Sequence, residues 1–211
     1  MEVSLTVKNI VIVGEFQPSR FDKYYFLKNQ IFEEGDILET SIFSSEFSVV
    51  RTNLFNLTVL NNQIILNENE PKDEDFISEI ISKIVKTIEF KASGFGINLH
   101  WYIFSENDTN RLSKEYFYNE NSVINQYFID GNVSYGTYMS KDFGNSRMKL
   151  DIKPATVTKI ETGQEQTIIA FSFNFHTDLN TENFKVNIMK SLSEINEYTE
   201  ETKKIVKLYA K

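Results

Sequence analysis

The apolar positions of this chain fall mostly into runs of period two, separated by a few stretches with helical spacing. From Val3 to Phe16 they first alternate (Val3, Leu5, Val7) and then run on continuously (Ile10, Val11, Ile12, Val13). That is the pattern of a strand whose second face becomes covered, so a central place in a sheet is predicted. Gly14 to Ser19 punctuates, and Pro18 suits the first turn of a helix reaching to about Phe32. Phe21, Tyr24, Tyr25, Lys28, Ile31 and Phe32 share one broad face of that helix, read as core. Strands are expected over Ile42 to Val50, Phe55 to Leu60 and Gln63 to Leu66. Asn61-Asn62 joins the last two, a pair that tolerates the left-handed conformations of a tight hairpin. The acidic loop Asn67 to Asp75 leads into an amphipathic helix with Phe76, Ile77, Ile80, Ile81, Ile84, Val85 and Ile88 on one stripe.

The stretch Ser93 to Phe104 holds the only Trp and one of the two His. Ile97, Leu99, Trp101 and Ile103 alternate with Asn98, His100 and Tyr102, so a strand is predicted, with Gly94-Phe95-Gly96 read as a turn or joint before it. Glu106 to Asn110 reads as a loop or cap and Arg111 to Tyr118 as a short helix. Three further strands are expected, over Ser134 to Phe143, Arg147 to Ile160 and Gln166 to His176, the last two joined by the turn Glu161 to Gln164. In the final strand Phe171, Phe173 and Phe175 point one way and Ser172, Asn174 and His176 the other. A single helix from about Thr181 to Leu208 would be about 40 Å long at the standard rise. Its stripe includes Phe184, Ile188, Leu192, Ile195, Tyr198, Ile205, Val206 and Tyr209, and its last turns would overhang a compact body.

The element order repeats: strand, helix, antiparallel strands, polar loop, amphipathic helix. Pairing Asp75 to Ile81 with Asn183 to Met189 gives the best match, and it implies two related halves, 1–92 and 93–211, within one compact domain spanning 1–211. The expected fold class is α+β, a predominantly antiparallel sheet with helices mainly on one face, assembled as a pseudo-repeat of two halves.

Composition narrows the chemistry. A net charge of −8 with four scattered arginines argues against unaided binding to a phosphate backbone, so nucleic acid is not the expected partner. The absence of Cys excludes thiolate metal sites, disulfides and Cys nucleophiles. No run is long and apolar enough to span a membrane, and the acidic start at Met1-Glu2-Val3 has no basic leader pattern, so a cytoplasmic protein is expected. Richness in Asn, Ile, Lys, Phe and Tyr matches translation from an AT-rich genome, which points to a bacterial or phage source. Sequons at Asn56, Asn107 and Asn132 are as many as an Asn-rich chain produces by chance.

Motifs for catalysis are missing. No His-x-x-x-His, calcium-loop or Walker spacing occurs, and Gly94-Phe95-Gly96 precedes a strand, whereas a dinucleotide fingerprint opens a helix. Neither a metal nor a cofactor is expected. His100 and His176 are the only residues suited to act as a base near neutral pH. Paired halves could bring them onto one sheet face with Asn98, Tyr102 and Asn174, which makes these five the candidate ligand-binding residues. Tyr198, Ile205 and Tyr209, on the long terminal helix, are the candidate partner-binding residues. The leading expectation is a non-enzymatic interaction or regulatory subunit of a bacterial or phage assembly, with defence as one such setting, and with a protein partner or a homo-oligomer. The competing one is a small-molecule or nucleotide binding protein, an enzyme among the options, at the His100 and His176 face.

Overall fold

The structure, a computed structural model, describes residues 1–104, 109–128, 133–158, 163–180 and 182–210. Among the described residues nine strands form one antiparallel sheet: β1 Glu2–Glu15, β2 Ile42–Phe43, β3 Ser48–Arg51, β4 Phe55–Val59, β5 Gln63–Glu68, β6 Lys91–Phe104, β7 Thr137–Phe143, β8 Ser146–Thr158 and β9 Glu165–Asp178. Five α-helices accompany it: α1 Lys23–Lys28, α2 Ile77–Thr87, α3 Thr109–Phe117, α4 Phe184–Ser193 and α5 Ile195–Lys207. The fold is therefore α+β with an antiparallel sheet, as the alternating pattern predicts.

Across the sheet the order is β2-β3-β4-β5-β1-β6-β9-β8-β7. β1 stands at the centre, where its continuous apolar run places it. Because β1 and β6 pair antiparallel, with Asn9 opposite Asn98, a pseudo-twofold axis normal to the sheet passes between them. Outward from it run β1, β5, β4 and β3 on one side and β6, β9, β8 and β7 on the other. α2 follows β5 as α4 follows β9. The order of elements is thus the same on the two sides of the axis. The helices match with Ile77 opposite Phe184 in order, each opening its helix, so that buried Ile81, Ile84 and Val85 correspond to buried Ile188, Ser191 and Leu192. The sequence pairing of Asp75 with Asn183 stands one residue out of step with this equivalence.

One face of the sheet carries the core. Ile10 and Ile12 of β1, Ile97, Leu99, Trp101 and Ile103 of β6, and Phe171, Phe173 and Phe175 of β9 are all buried there. Burying each such side chain contributes about 1.5–3 kcal/mol, so a slip of one residue in register would forfeit most of the core. All five helices lie on this face: α2 buries its isoleucine stripe in the same cluster, α3 adds Leu112, and α5 adds Tyr198 and Val206. Trp101 donates from Nε1 to Thr202 Oγ1 of α5 at 3.0 Å, which satisfies the one polar atom of the single tryptophan.

Four sequence expectations change. The strand expected over Ile42 to Val50 is two, β2 and β3, which fold back on each other across a turn closed by the Ser44 amide donating to the Phe47 carbonyl. The helix expected from Pro18 to Phe32 is a 3-10 turn at Pro18–Arg20 followed by α1, because Asp22 restarts the helix by accepting a hydrogen bond from the Tyr25 amide at 2.7 Å. Gly94 and Gly96 are not a joint before the strand but lie inside β6. The single long terminal helix is two helices that turn at Glu194, where the carboxylate binds the β7–β8 hairpin instead of extending a solvated face. α5 therefore packs along β6 and β9 and does not overhang. The ends of the turn expected at Glu161 to Gln164 and the cap at Glu106 to Asn110 lie partly outside the described residues. Among the described residues no helix is long and apolar enough to cross a membrane.

Candidate functional site

Among the described residues no α-helix covers the second face of the sheet. Along each strand the side chains that alternate with the core point to it, and its centre is a row of asparagines. Asn56 of β4 lies opposite Asn67 of β5, Asn67 opposite Asn9 of β1, Asn9 opposite Asn98 of β6, and Asn98 opposite Asn174 of β9. Lys149 of β8 and Ser140 of β7 complete the row. Under the pseudo-twofold axis Asn9 corresponds to Asn98 and Asn67 to Asn174, so the row is symmetric about the centre of the sheet. The three central amides form a relay: Asn174 Nδ2 donates to Asn98 Oδ1 at 2.8 Å, and Asn98 Nδ2 donates to Asn9 Oδ1 at 2.7 Å. All are half-buried.

Glycine makes room for this arrangement. A Cβ at Gly96 would lie 3.4 Å from Asn174 Nδ2, and one at Gly94 would lie 3.4 Å from His176 Cε1. The side chains of Asn174 and His176 thus lie across β6 where it has no side chains of its own. Part of the neighbouring face is closed over, since Ile168 and Ala170 are buried on it.

The structure brings Asn98 and Asn174 into contact and keeps the two histidines apart. His100 lies opposite Ser172, while His176 lies opposite Gly96. Four residues of strand separate those positions, a span of about 13 Å. A shared proton relay between the imidazoles is thereby ruled out in this geometry. His176 Nε2 sits 3.1 Å from Asp178 Oδ1. Burial lowers the His100 pKa, and nearby Lys153 lowers it further. Tyr102, opposite Ala170, packs its ring edge-on to Phe104.

The expected partner-binding residues lie against the body of the molecule. Tyr198 is fully buried, stacked on Phe175 at a ring distance of 4.1 Å, so it is core and offers no surface to a partner. Tyr209 meets the rings of Tyr116 and Phe171, and Ile205 packs against the core as a half-buried side chain.

A buried charge pair escaped sequence reasoning. Lys8 and Glu68 point to the helix side, where Lys8 Nζ and Glu68 Oε1 are 3.9 Å apart with almost no exposure. Lys8 spends its hydrogen bonds on the backbone of the acidic loop, on the carbonyls of Lys72 at 3.2 Å and Glu74 at 2.5 Å. Glu68 accepts from the Lys72 amide and leaves Oε1 without a hydrogen bond. Burial lowers the Lys8 pKa and raises that of Glu68, and their mutual attraction opposes both shifts. The equivalent places in the other half are Ile97 and Phe175, both apolar and buried. The pair therefore marks where the first half must pin a loop and the second half is roofed by α5. No sequence signal marks it: the alternation of Val3, Leu5 and Val7 puts Lys8 on the polar face, and the register shift between Leu5 and Val7 turns it to the core.

Among the described residues no group of His, Asp or Glu is arranged to hold a metal ion. No family model matches the chain, and no curated protein matches it.

Proposed function

We propose that this protein works by association, as an interaction or regulatory subunit of a bacterial or phage assembly in the cytoplasm, and that the asparagine-lined sheet face is its docking surface. The observation that carries the reading is the asymmetry of the sheet. Among the described residues every α-helix lies on one side, and the other presents a row of half-buried amides whose central hydrogen bonds are already made. Such a face suits a broad partner that brings its own polar groups, since flat amide rows give many shallow contacts and no enclosed pocket. The separation of His100 from His176 favours this over an acid–base centre. The composition that suggests a bacterial or phage source also prompts a role in a defence locus.

The test is capture from the native host with the wild-type chain and with Asn98→Arg/Ser172→Arg, which puts one bulky cation in the middle of the row and a second beside it, opposite His100. Support is a specific protein retained by the wild type and lost by the variant, with both chains equally folded by circular dichroism. Retention by both chains, or by neither, removes the face from consideration. A ligand-dependent thermal shift abolished by His100→Ala would favour the small-molecule reading instead.

A further inference from the structure

The sheet ends in two unequal edges. On one side β2 has two residues, and on the other β7 has seven. An unpaired edge presents a row of backbone donors and acceptors that can template another strand, and shortening the strand is one way to blunt it. β2 is blunted in that way; β7 is not and, among the described residues, pairs with β8 alone. β7 pairs with β8 without a register shift, and it contains no proline. Its charged side chains are turned to their own neighbours, Asp142 to Arg147 at 2.9 Å and Lys141 to Glu201 at 3.7 Å.

Exposed apolar residues occur on β7 and in the segment that precedes it. Tyr138 is 63% and Met139 46% exposed, and just upstream Val123, Ile124, Tyr127 and Phe128 are each more than half exposed. Tyr135, two residues before β7, ties that segment to the edge by donating from its hydroxyl to the Phe128 carbonyl. Scattered apolar residues are ordinary on a surface, whereas a cluster beside an open strand marks a contact site.

We propose that two copies of this chain pair their β7 strands antiparallel about a twofold axis at Ser140, forming one continuous sheet twice as wide. Pairing about Ser140 uses the whole strand, with Thr137 opposite Phe143 of the second copy, Tyr138 opposite Asp142, and Met139 opposite Lys141. It sets no like charges face to face. Shifting the axis one residue onward puts Lys141 opposite Lys141, and two onward puts Asp142 opposite Asp142, both repulsive. The axis is normal to the sheet, so the helices of both copies lie on one side. That repeats the relation between the two halves at β1 and β6. The inference stands apart from the open-face reading, and either can fail without the other.

Light scattering on the wild type is expected to give the mass of two chains at high micromolar concentration, and Ser140→Lys, which sets like charges together at the axis, the mass of one. The chain has no Cys, so Ser140→Cys carries a single thiol. Across an antiparallel pair the Cα atoms are about 4.5–5.5 Å apart, within disulfide reach. Mild oxidation should link Ser140→Cys into a dimer much faster than Lys149→Cys, one strand in from the edge. This arm decides the matter if Ser140→Lys lowers the melting temperature. A one-chain mass for the wild type overturns the proposal. So does a two-chain mass that survives in a folded Ser140→Lys chain, or a Ser140→Cys chain that links no faster than the control.

Discussion

Asn145, in the turn between β7 and β8, donates its side-chain amide to Glu194 Oε1 at 2.7 Å and so ties the hairpin to the point where α4 gives way to α5. The other carboxylate oxygen accepts the hydroxyl of Tyr198 at 2.5 Å, one helical turn further on. That hydroxyl also meets Ser146, which continues through Thr177 to Ser191 as a buried chain of hydroxyl groups. The network leaves no space at Gly144, whose φ of +59° is left-handed and whose missing Cβ would stand 2.6 Å from Glu194 Oε2. Gly144→Ala combines backbone strain with displacement of the carboxylate, and should lower stability by about 2–3 kcal/mol. The shift in urea midpoint measures it, and an unchanged midpoint would mean that the turn relaxes without involving Glu194.

The buried Lys8 and Glu68 should behave as a pair whose halves are worth more together than apart. Lys8→Met leaves a buried carboxylate without its counter-charge and strips the donors from two loop carbonyls, at a cost of about 3–5 kcal/mol. Lys8→Met/Glu68→Leu removes the stranded charge and copies the apolar character of the second half, so it should recover most of that loss. Denaturant titration of both single variants and the double gives the coupling directly. Additive losses would show that Lys8 acts only through the loop.

His100 gives stability a pH dependence of known sign. Its folded-state pKa lies below the ordinary 6.5, first through burial and then through Lys153. The folded chain therefore binds fewer protons than the unfolded one between those two values, and stability rises with pH there. This contribution is complete above about pH 6.5 and is lost as pH falls through the depressed value. His100→Gln should flatten the melting profile on that acid limb and leave the limb above neutrality unchanged. A parallel profile would mean that Lys153 and the sheet do not perturb the imidazole.

Asn98 offers a way to separate architecture from recognition. Its amide joins Asn9 to Asn174, but all three are within reach of solvent, so water can replace what Asn98→Ala removes. A loss of about 1 kcal/mol or less is expected by thermal or chemical unfolding. A loss several times larger would make the row part of the framework and not a surface kept for a partner.

The sequence by itself determined the alternation of β6 and β9 and the isoleucine stripe of α2. Each depends on contacts or spacings within a few residues, and period two or 3.6 reports them directly. It also placed Asn98, His100 and Tyr102 on one face, because parity along a strand needs no partner. Register and strand order were decided only in the tertiary structure. Parity puts His100 and His176 on the same side, yet only the pairing of β6 with β9 tells that they are four positions apart and that Asn98 meets Asn174. Asn9 and Asn67 joined the row for the same reason, from far along the chain. The turn at Glu194 belongs with these: local helical spacing runs through it unbroken, and the hydrogen bond from Asn145, 49 residues earlier, overrides that preference.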